Sequence, residues 1–401
     1  MHKRVRSGIF LVFLTVFIIG APMIVFYTAG YRINLNTWRV QRTGVIAITT
    51  FPRGASVIVN GKLLAEKTPY VAQRLAPGEY DMLLEKEGYR SWSQRVTVHS
   101  GSTAYITAFL FSDTKPELLL EENALSVVGD KNGRFIYLLV DQSSTEENDR
   151  SIWRYDTITR LQKKLSENVG DAISKIALNS DDSTLLLHSG NTIPSFPTGG
   201  ISVGSGIALS ITELARATNA LPEYSFLNNG SNVEIRLTST NELVTLLPPD
   251  EYSIVLRDNT IAILTDSRNR TYLLNLSTND VSQIDLPTAI LSASPTEQLL
   301  AATDGNEIDI YNPQTGERTF ITRQSDPVLT LAWHSSERAL LFATATTILA
   351  IERTKEESRE TTVIVDNATI INMWPDTSGK SLTFLGTVNG ITGIWKVALT
   401  Q

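Results

Sequence analysis

One short string in the chain has the form of a catalytic motif. Gly200-Ile201-Ser202-Val203-Gly204 matches the Gly-x-Ser-x-Gly pattern that surrounds a nucleophilic serine. That pattern presents a nucleophile only where a buried strand turns sharply into a helix, with an acid and a histidine downstream. Here the flanking residues are β-like and rich in glycine, and His334 is the sole downstream histidine. We interpret the string as a coincidence, and the sequence predicts no catalytic residue.

Residue types that ligate metals are scarce. The chain has no cysteine and four histidines, namely His2, His99, His188 and His334. Neither His99 nor His188 has a second histidine at ligand spacing. Asp130-Lys131-Asn132-Gly133 begins like a calcium loop but lacks the later glutamate, so we interpret it as a turn. Asp181-Asp182 is also interpreted as a turn, with metal binding as the alternative. No phosphate loop or dinucleotide fingerprint is present, and the sequence predicts no metal and no cofactor.

The elements that organise the chain begin with an apolar segment. Lys3, Arg4 and Arg6 precede a run without charge from Ile9 to Ala29. A helix of about 20 apolar residues crosses a bilayer, and flanking cations favour the cytoplasmic side. We therefore predict a cytoplasmic tail at residues 1–7, a transmembrane helix at 8–30 and a linker at 31–42. The rest of the chain is expected outside the cytoplasm, at the cell membrane.

A cleaved signal peptide is the alternative for the same segment. Its apolar region usually has only about 7–15 residues and ends at a small-residue cleavage site. Here Pro22 follows the best-placed small residue, Ala21, and the apolar run continues to Tyr27. Thr28-Ala29-Gly30 is a second candidate site. The length favours an anchor that is not cleaved, and the aromatic rings of Tyr27, Tyr31 and Trp38 would suit the membrane interface.

Charge and cysteine content restrict the partners. The formal net charge is −7, and residues 1–30 contribute +3, so residues 31–401 carry −10. An acidic exterior repels nucleic acid and anionic headgroups, so we expect no nucleic-acid partner. Without cysteine there are no disulfides, and the outer domains depend on core burial alone.

Residues 43–112 have the pattern of a small β-sandwich. About five strand-like runs alternate with turn residues, and Asn60-Gly61 between two runs is a strong hairpin signal. The runs begin near Val45, Ser56, Tyr80, Gln94 and Tyr105. Tyr89 and Trp92 could form an aromatic platform for a sugar or cap the core.

The order of the turn motifs resembles the PEGA domain family. The matching segments are Thr43-Gly44-Val45-Ile46, Phe51-Pro52-Arg53-Gly54-Ala55, Val59-Asn60-Gly61-Lys62, Pro77-Gly78-Glu79-Tyr80 and Lys86-Glu87-Gly88-Tyr89. Pro77-Gly78-Glu79-Tyr80 stands near the place of the tetrapeptide that names the family. The resemblance implies a β-sandwich module on a bacterial surface protein, without established catalysis.

Residues 113–401 contain an internal repeat. A turn followed by an apolar strand recurs at Ala293, Trp333 and Trp374, which are 40 and 41 residues apart. Weaker copies start at Gly129, Asn179, Leu227 and Arg257. A second signature, strand-turn-strand, follows Ile152, Tyr272 and Ile308. A period of about 40–45 residues is typical of propeller blades, and the seven turns predict seven blades resembling the WD40-like and YVTN-like repeats.

The two ends of this repeat region are expected to share one blade. Residues 393–399 look like a third strand, and Glu117–Glu121 can supply the outer fourth strand. Residues 191–260 are irregular, so six or eight blades remain alternatives. The loop at 191–210 could bind a ligand or only cover a face.

These observations lead to an all-β prediction with one N-terminal transmembrane helix. A PEGA-like stalk at 43–112 would present a propeller at 113–401 to a protein or glycan of the cell envelope. The expected role is binding or scaffolding, not catalysis. The alternative is an extracytoplasmic hydrolase or lyase that uses the central channel of the propeller. The sequence assigns no ligand-binding residue and does not distinguish the two propeller faces.

Overall fold

A computed structural model describes most of the chain. The described residues are 3–28, 30–34, 39–122, 124–130, 132–141, 150–166, 169, 173–178, 184–189, 195–197, 224–257, 260–287, 290–296, 298–353 and 361–400. They form two compact units, one extending to Phe111 and the other beginning at Ser112.

The first unit begins with one long apolar helix, α1 (Lys3–Thr28). Within α1, the 19 residues Phe10–Thr28 have a mean hydropathy of 2.5, and none of the most apolar window is buried in the protein. At about 1.5 Å per residue this segment is about 28 Å long, close to the thickness of a hydrocarbon core. The helix therefore has the length and composition of a membrane span or of a signal sequence.

A hairpin of two short strands follows the helix. It consists of β1 (Tyr31–Asn34) and β2 (Arg39–Arg42), which pair antiparallel. The Thr43 backbone N–H donates to the Gly30 carbonyl at 2.8 Å and closes the base of the hairpin. The Phe26 ring meets the Tyr31 ring edge-on with centroids 5.5 Å apart. The hairpin is thus packed against the end of α1.

Two sheets packed face to face complete the first unit. One sheet has the order β6-β3-β9 and the other β5-β4-β7-β8. The strands are β3 (Gly44–Phe51), β4 (Ser56–Val59), β5 (Lys62–Lys67), β6 (Tyr70–Leu75), β7 (Gly78–Glu85), β8 (Trp92–Val98) and β9 (Thr103–Phe109). Alternate residues of β3 and β8 point inward, as Ile46, Ile48, Val96 and Val98 show, and they form a core sealed from solvent.

The structure confirms the predicted Asn-Gly hairpin. Asn60 and Gly61 both have positive φ, 48° and 75°, and Val59 pairs with Lys62 across the turn. The unit has seven strands after residue 43, however, where about five were predicted from the sequence. The strands missed are β5 and β6, which lie at sheet edges, and β5 is mostly exposed. An exposed edge strand has no alternation of apolar residues to reveal it.

The second unit contains seven successive antiparallel sheets. The first sheet consists of β11 (Ser126–Gly129), β12 (Phe135–Asp141), β13 (Arg150–Asp156) and β14 (Gln162–Ser166). The second consists of β15 (Ile173–Leu178), β16 (Thr184–Ser189) and β17 (Ser195–Pro197). The third consists of β18 (Tyr224–Asn228), β19 (Val233–Leu237) and β20 (Leu243–Leu247). The fourth sheet consists of β21 (Tyr252–Arg257), β22 (Ile261–Asp266), β23 (Thr271–Asn275) and β24 (Val281–Ile284). The fifth consists of β25 (Ile290–Ala293), β26 (Leu300–Thr303), β27 (Glu307–Tyr311) and β28 (Arg318–Arg323). The sixth consists of β29 (Thr330–Trp333), β30 (Ala339–Ala343), β31 (Ile348–Glu352) and β32 (Thr361–Val365).

The seventh sheet joins distant parts of the chain. It consists of β33 (Ala368–Pro375), β34 (Ser381–Val388), β35 (Ile391–Ala398) and, at its outer edge, β10 (Glu117–Glu121). Glu117 pairs with Lys396 and Glu121 with Gly393. The predicted closure is confirmed.

The sheets form a ring of blades about their first strands. The innermost strands β11 and β15 pack together, as do β21 and β25, β25 and β29, and β29 and β33. Trp374 of the seventh blade lies against Gly129 of the first, where a Cβ atom would collide with its ring. Seven sheets in this order form a seven-bladed β-propeller, numbered here as blades 1–7 from β11 onwards.

The repeat signatures of the sequence correspond to two kinds of turn. Between the third and fourth strands, the side-chain oxygens of Asp156, Asn275 and Asn312 each accept two backbone N–H bonds, the shorter being 2.9 Å. Between the first and second strands, a backbone N–H bonds a carbonyl five residues on, as from His334 to Ala339 at 3.0 Å. Asp and Asn suit the turn between the third and fourth strands because their side-chain oxygens accept hydrogen bonds from nearby backbone N–H groups.

One predicted repeat is placed differently by the structure. The turn at Leu227–Gly230 is a weaker copy, in the sequence, of the turns at Ala293, Trp333 and Trp374, which join the first two strands of their blades. In the structure it joins β18 to β19, and the following turn has the hydrogen bond of a third-to-fourth-strand corner, Asn241 N–H to Leu237 C=O at 2.8 Å. The Tyr224 hydroxyl also bonds Asn279, in such a corner of blade 4, at 2.6 Å. The strands β18, β19 and β20 are therefore the second, third and fourth of blade 3. An asparagine-rich turn looks alike in both settings.

We predict that crowding the closure destabilises the propeller. A Cβ atom at Gly393 would collide with the Leu120 carbonyl of β10. Gly393→Ala should lower the free energy of unfolding by about 1–3 kcal/mol, since an added methyl in a packed sheet forces the strands apart. Ile391→Ala, at an exposed position of the same strand, is the control and should change it by less than about 0.5 kcal/mol. Equal effects in chemical denaturation would contradict this role of the closure.

A second prediction concerns acid stability. Burial raises the pKa of Asp376, but hydrogen bonds from Ser378 and Ser381 outweigh it and leave the pKa below its usual value. The carboxylate therefore stabilises the fold fully above about pH 4, and this contribution is lost as the pH falls through the lower folded-state pKa. Asp376→Asn should cost about 1 kcal/mol at pH 7 after allowance for solvent screening, and nothing at pH 2. Denaturation curves at both pH values test this.

Candidate functional site

The propeller has two faces that differ in the connections they carry. We call the turn face the one with the turns between first and second strands and between third and fourth strands. The loop face carries the connections between second and third strands and those between blades. Because strands in a blade alternate in direction, each connection falls on one face according to its place in the repeat.

The turns of the turn face are bonded from blade to blade. Glu337 of blade 6 accepts hydrogen bonds from the Thr296 backbone N–H and, at 2.9 Å, from the Thr296 hydroxyl of blade 5. The His334 Nε2–H donates to the Gly379 carbonyl of blade 7 at 2.9 Å. The polar groups of these turns are thus used in holding the blades together. Two large apolar side chains, Ile158 and Leu161, are exposed at one corner of this face.

The loop face of blade 4 gathers two acids, two arginines and two tyrosines. We call this group the blade 4 cluster, and it consists of Asp250, Tyr252, Asp266, Arg268, Arg270 and Tyr272. Asp266 ends β22 and Tyr252 begins β21, while Arg270 and Tyr272 flank the start of β23. Two connections, the one that leads into β21 and the one between β22 and β23, therefore bring these residues to one place.

The centre of the blade 4 cluster is a buried carboxylate. The side chain of Asp266 has no exposed surface, and it accepts the backbone N–H groups of Arg268 at 3.0 Å and Arg270 at 2.8 Å. The Arg270 Nε–H donates to the same carboxylate at 2.5 Å, and this bond raises the pKa of Arg270. A buried carboxylate needs this set of donors because an unpaired charge away from water is costly.

A second carboxylate lies at the rim of the cluster. Hydrogen bonds from Ser267 and from the Glu251 N–H hold the pKa of Asp250 below its usual value. Arg270 is 3.8 Å from Asp250, and Arg268 is 4.0 Å from it. The side chain of Arg268 is 73% exposed. Arg268 is thus too far from Asp250 for a hydrogen bond, and it presents its guanidinium to solvent.

Two tyrosines form the floor beneath the arginines. The rings of Tyr252 and Tyr272 meet edge to face with centroids 5.5 Å apart. The Tyr252 hydroxyl donates to the Pro248 carbonyl at 2.9 Å, and burial, together with the neighbouring Tyr272, raises its pKa well above the usual value. Within the part of the chain that the structure describes, the buried Tyr272 hydroxyl faces Tyr252 but has no partner of strict hydrogen-bonding geometry.

Neighbouring loops of the same face are also polar and ordered by side-chain caps. In blade 3, Asn229 Oδ1 accepts the N–H of Asn232 at 2.9 Å, and Glu234 pairs with Arg236 at 2.6 Å. In blade 5, Asp304 accepts the N–H of Glu307 at 2.7 Å, and bonds of this kind lower the pKa of Asp304. The loop face thus presents fixed polar groups on three successive blades.

The structure settles the roles of several residues that the sequence singled out. Asp130 accepts the backbone N–H groups of Arg134 and Phe135 at 2.8 and 3.1 Å, which makes it a turn residue as expected. His334 is buried and bonded within the turn face. Tyr89 and Trp92 pack against the core of the first unit, so the core role is the one observed.

Other sequence candidates lie outside the described residues. These are Gly200–Gly204, Asp181-Asp182, Trp38 and, apart from Ser195–Pro197, the 191–210 loop. Among the described residues, no group of three His, Cys, Asp or Glu could hold a metal ion. The sequence analysis missed the blade 4 cluster because its residues form no recognisable motif. They lie within 22 residues of one another, in a blade that is otherwise ordinary.

The innermost strands carry few groups able to do acid–base chemistry. No Asp, Glu or His occurs on the described innermost strands β11, β15, β21, β25, β29 and β33. Where β33 meets β29, Asn372 and Thr330 lie 3.5 Å apart, and Ile371 is exposed. These strands carry mainly apolar and hydroxyl side chains, together with the Asn372 amide and the exposed Lys175.

Comparison with known proteins identifies the first unit. Residues 43–110 match the PEGA domain family, so the chain carries a PEGA domain followed by a seven-bladed propeller. The "Crystal Structure of Mitotic Checkpoint Complex" contains a chain that is 12% identical, with 72% of this chain and 93% of that chain covered and a TM-score of 0.46. This similarity is too low to support an assignment of the fold, so the propeller is identified from its own sheets. No curated protein matches the sequence.

The paired tyrosines provide a test of the floor of the cluster. Tyr272→Phe removes a buried hydroxyl without a partner, so stability should stay the same or rise by up to about 1 kcal/mol. Tyr252→Phe removes a hydroxyl that bonds Pro248 and should cost about 1 kcal/mol. Thermal unfolding of both variants measures the difference. A larger loss for Tyr272→Phe than for Tyr252→Phe would show that the Tyr272 hydroxyl is bonded in solution.

Proposed function

We propose that the protein is a membrane-anchored binding or scaffold protein of the cell envelope. The helix α1 would remain as an anchor with residues 1–7 in the cytoplasm. The PEGA domain would act as a stalk, and the propeller would bind a partner outside the cytoplasm. The length and apolar composition of α1 support the anchor, and the PEGA match supports a surface role.

The blade 4 cluster is the observation that favours the loop face as the binding surface. Arginine and tyrosine are enriched among the residues that dominate protein–protein binding, because they combine large contact area with directed hydrogen bonds. Arg268 is exposed, its guanidinium lies 4.0 Å from Asp250, and its backbone N–H bonds the buried Asp266. On the turn face the corresponding polar groups already bond one another. We therefore infer that the partner is a protein that docks on the loop face.

A catalytic role is the second candidate that the sequence leaves open. It would require converging acids or histidines in the channel, and the described innermost strands provide none. This composition supports binding over catalysis. Turnover of envelope substrates by the purified chain would contradict the proposal.

Capture of the partner tests the proposed face. The full chain in detergent is immobilised and exposed to solubilised envelope with or without protease digestion. Arg268→Glu should reduce capture at least tenfold, since it replaces the exposed positive charge of the cluster by a negative charge beside Asp250. Arg160→Glu is the matched control on the turn face, where Arg160 is also exposed and paired with an acid, Glu117, at 2.9 Å. It should leave capture unchanged.

The outcomes of this capture separate the alternatives. Loss of captured material after digestion supports a protein partner, whereas survival of the capture indicates a glycan. Loss of capture in Arg160→Glu alone would place the site on the turn face and contradict the proposed one.

The anchor has a separate test. Protease added to intact cells whose outer layers are permeable should degrade residues 31–401 and leave the tail intact, and the mature chain should begin at its first residues. A chain that begins after Thr28-Ala29-Gly30, or one protected from protease, would contradict the anchor or its orientation.

A further inference from the structure

One edge of the PEGA domain differs from the other three in charge. The two sheets of the domain end in four edge strands, β6 and β9 in one sheet and β5 and β8 in the other. Three of them carry charged residues, namely Lys62, Glu66 and Lys67 on β5, Arg74 on β6 and Arg95 on β8. The strand β9, Thr-Ala-Tyr-Ile-Thr-Ala-Phe, has no charged residue and no proline. Because a free edge can pair with another chain, proteins usually protect it with such residues, and β9 lacks this protection.

The backbone of β9 directs hydrogen-bonding groups to this free edge. β9 pairs with β3 in parallel, and in such a pair alternate residues turn both their N–H and C=O groups to the neighbouring strand. The Leu110 N–H donates to the Phe51 carbonyl at 2.8 Å, so the even-numbered residues are those that bond β3. The odd-numbered residues Thr103, Tyr105 and Thr107 therefore direct their backbone groups away from β3. Among the described residues, no strand pairs with β9 on that side.

The side chains beside this edge are exposed and uncharged. Tyr105 is 74% exposed, and Thr103 and Thr107 are also exposed. Across the sheet, Ala47 lies between Tyr105 and Val71, which is 49% exposed. A row of apolar side chains thus ends at a strand with free backbone groups. An edge of this kind suits the addition of another strand, because backbone bonds and side-chain contacts then form together.

The order of residues on β9 favours a second copy of the chain as the added strand. In an antiparallel pair of identical strands, positions at equal distances from the centre lie opposite each other. With Tyr105 at the centre, the two Tyr105 residues are opposite, and Thr103 of each copy is opposite Thr107 of the other. These are the residues that direct their backbone groups to the edge, so these groups find partners. Aromatic pairs and pairs of threonines across strands also stabilise an antiparallel sheet.

The absence of charge supports the same choice. In a pair of identical strands, a charge at the centre would lie opposite its own copy and would oppose the pairing. β9 has no such charge, whereas Arg74 and Arg95 lie within the edge strands β6 and β8. Of the four edges, only that of β9 can therefore pair with itself without bringing like charges together.

From these observations we propose that two copies of the chain pair through β9, antiparallel about a two-fold axis at Tyr105. The pairing joins the two β6-β3-β9 sheets into one sheet of six strands. Each copy uses the edge that the other uses, so the assembly closes as a dimer. Only residues 103–107 form the strand pair, and an interface below the standard of about 1,600 Å² should give a weak dimer, with a dissociation constant of about 1–100 μM. The inference depends neither on the membrane anchor nor on the loop face.

The oligomeric state of the full chain tests the proposal. Sedimentation of the full chain in detergent should show an equilibrium between monomer and dimer over about 1–100 μM. Tyr105→Lys should weaken the dimer at least about tenfold, because two lysines then lie opposite each other at the centre. Leu63→Lys is the matched control, since Leu63 is 62% exposed on the edge strand β5, and it should leave the equilibrium unchanged. A wild-type chain that stays monomeric, or a dimer that Tyr105→Lys does not weaken, would overturn the proposal.

Opposite charges distinguish lost pairing from a damaged fold. Tyr105→Lys and Tyr105→Glu chains should each be mainly monomeric alone and should form a mixed dimer together, because opposite charges then meet across the strands. Thermal unfolding of each variant should resemble that of the wild type, since Tyr105 is exposed. If no mixed dimer forms although both variants unfold like the wild type, the two copies do not meet at Tyr105.

Cysteine crosslinking tests the register of the pair. The chain has no cysteine, so an introduced thiol is the only one. The Cα atoms of a hydrogen-bonded antiparallel pair are about 5.5 Å apart, which a disulfide can bridge. Tyr105→Cys should therefore give a disulfide-linked dimer on mild oxidation, and Leu63→Cys should not. Thr103→Cys and Thr107→Cys should crosslink when mixed but not alone, and a dimer of Thr107→Cys alone would contradict the register.

Crosslinking in intact membranes identifies any other occupant of the edge. Tyr105→Cys should form a homodimer there as well. If it instead forms a disulfide with a different protein and none with itself, β9 receives a strand from that protein and the proposal of a second copy is wrong.

Discussion

The pairing of β10 with β35 is the constraint on which the propeller depends. Each blade is a short antiparallel sheet that cannot bury both faces alone, and it gains its core from its two neighbours. A ring of such sheets is complete only when the first and last blades are joined. Here four residue pairs between residues 117–121 and 393–396 make that join. The strand at the outer edge belongs to one end of the domain and the other three strands to the other end.

Within the blades, hydrogen bonds of polar side chains provide stability that a larger hydrophobic core provides in other proteins. The chain has no disulfide, and its strands are short, with four to eight residues in each four-stranded blade. Turn residues such as Asp156, Asn275 and Asn312 satisfy backbone groups at corners where no sheet partner is available. Glu337 and His334 extend this bonding from one blade to the next. Local hydrogen bonds thus link the turns of blades 5, 6 and 7.

Periodicity made much of this fold predictable, and its limits follow from the same physics. The copies at Ala293, Trp333 and Trp374 share a turn and a buried strand, so their spacing was sufficient to predict blades and closure. The turn at Leu227–Gly230 was assigned to the wrong corner because asparagine and glycine serve both kinds of turn equally well. The edge strand β5 was missed because an exposed strand needs no apolar alternation.

The blade 4 cluster, at which we propose that a partner binds, shows why such a cluster is harder to predict than a blade. Its residues are ordinary for strand ends, and Asp266 alone would pass for another capping aspartate. What distinguishes the cluster is convergence, since two connections bring Asp250, Arg268 and Tyr272 around one buried carboxylate. The turn face cannot vary in this way, because changing Glu337 or His334 would break bonds between blades. On the loop face the exposed end of Arg268 bonds no neighbouring blade in the described structure, so a change at this residue would leave the bonds between blades intact.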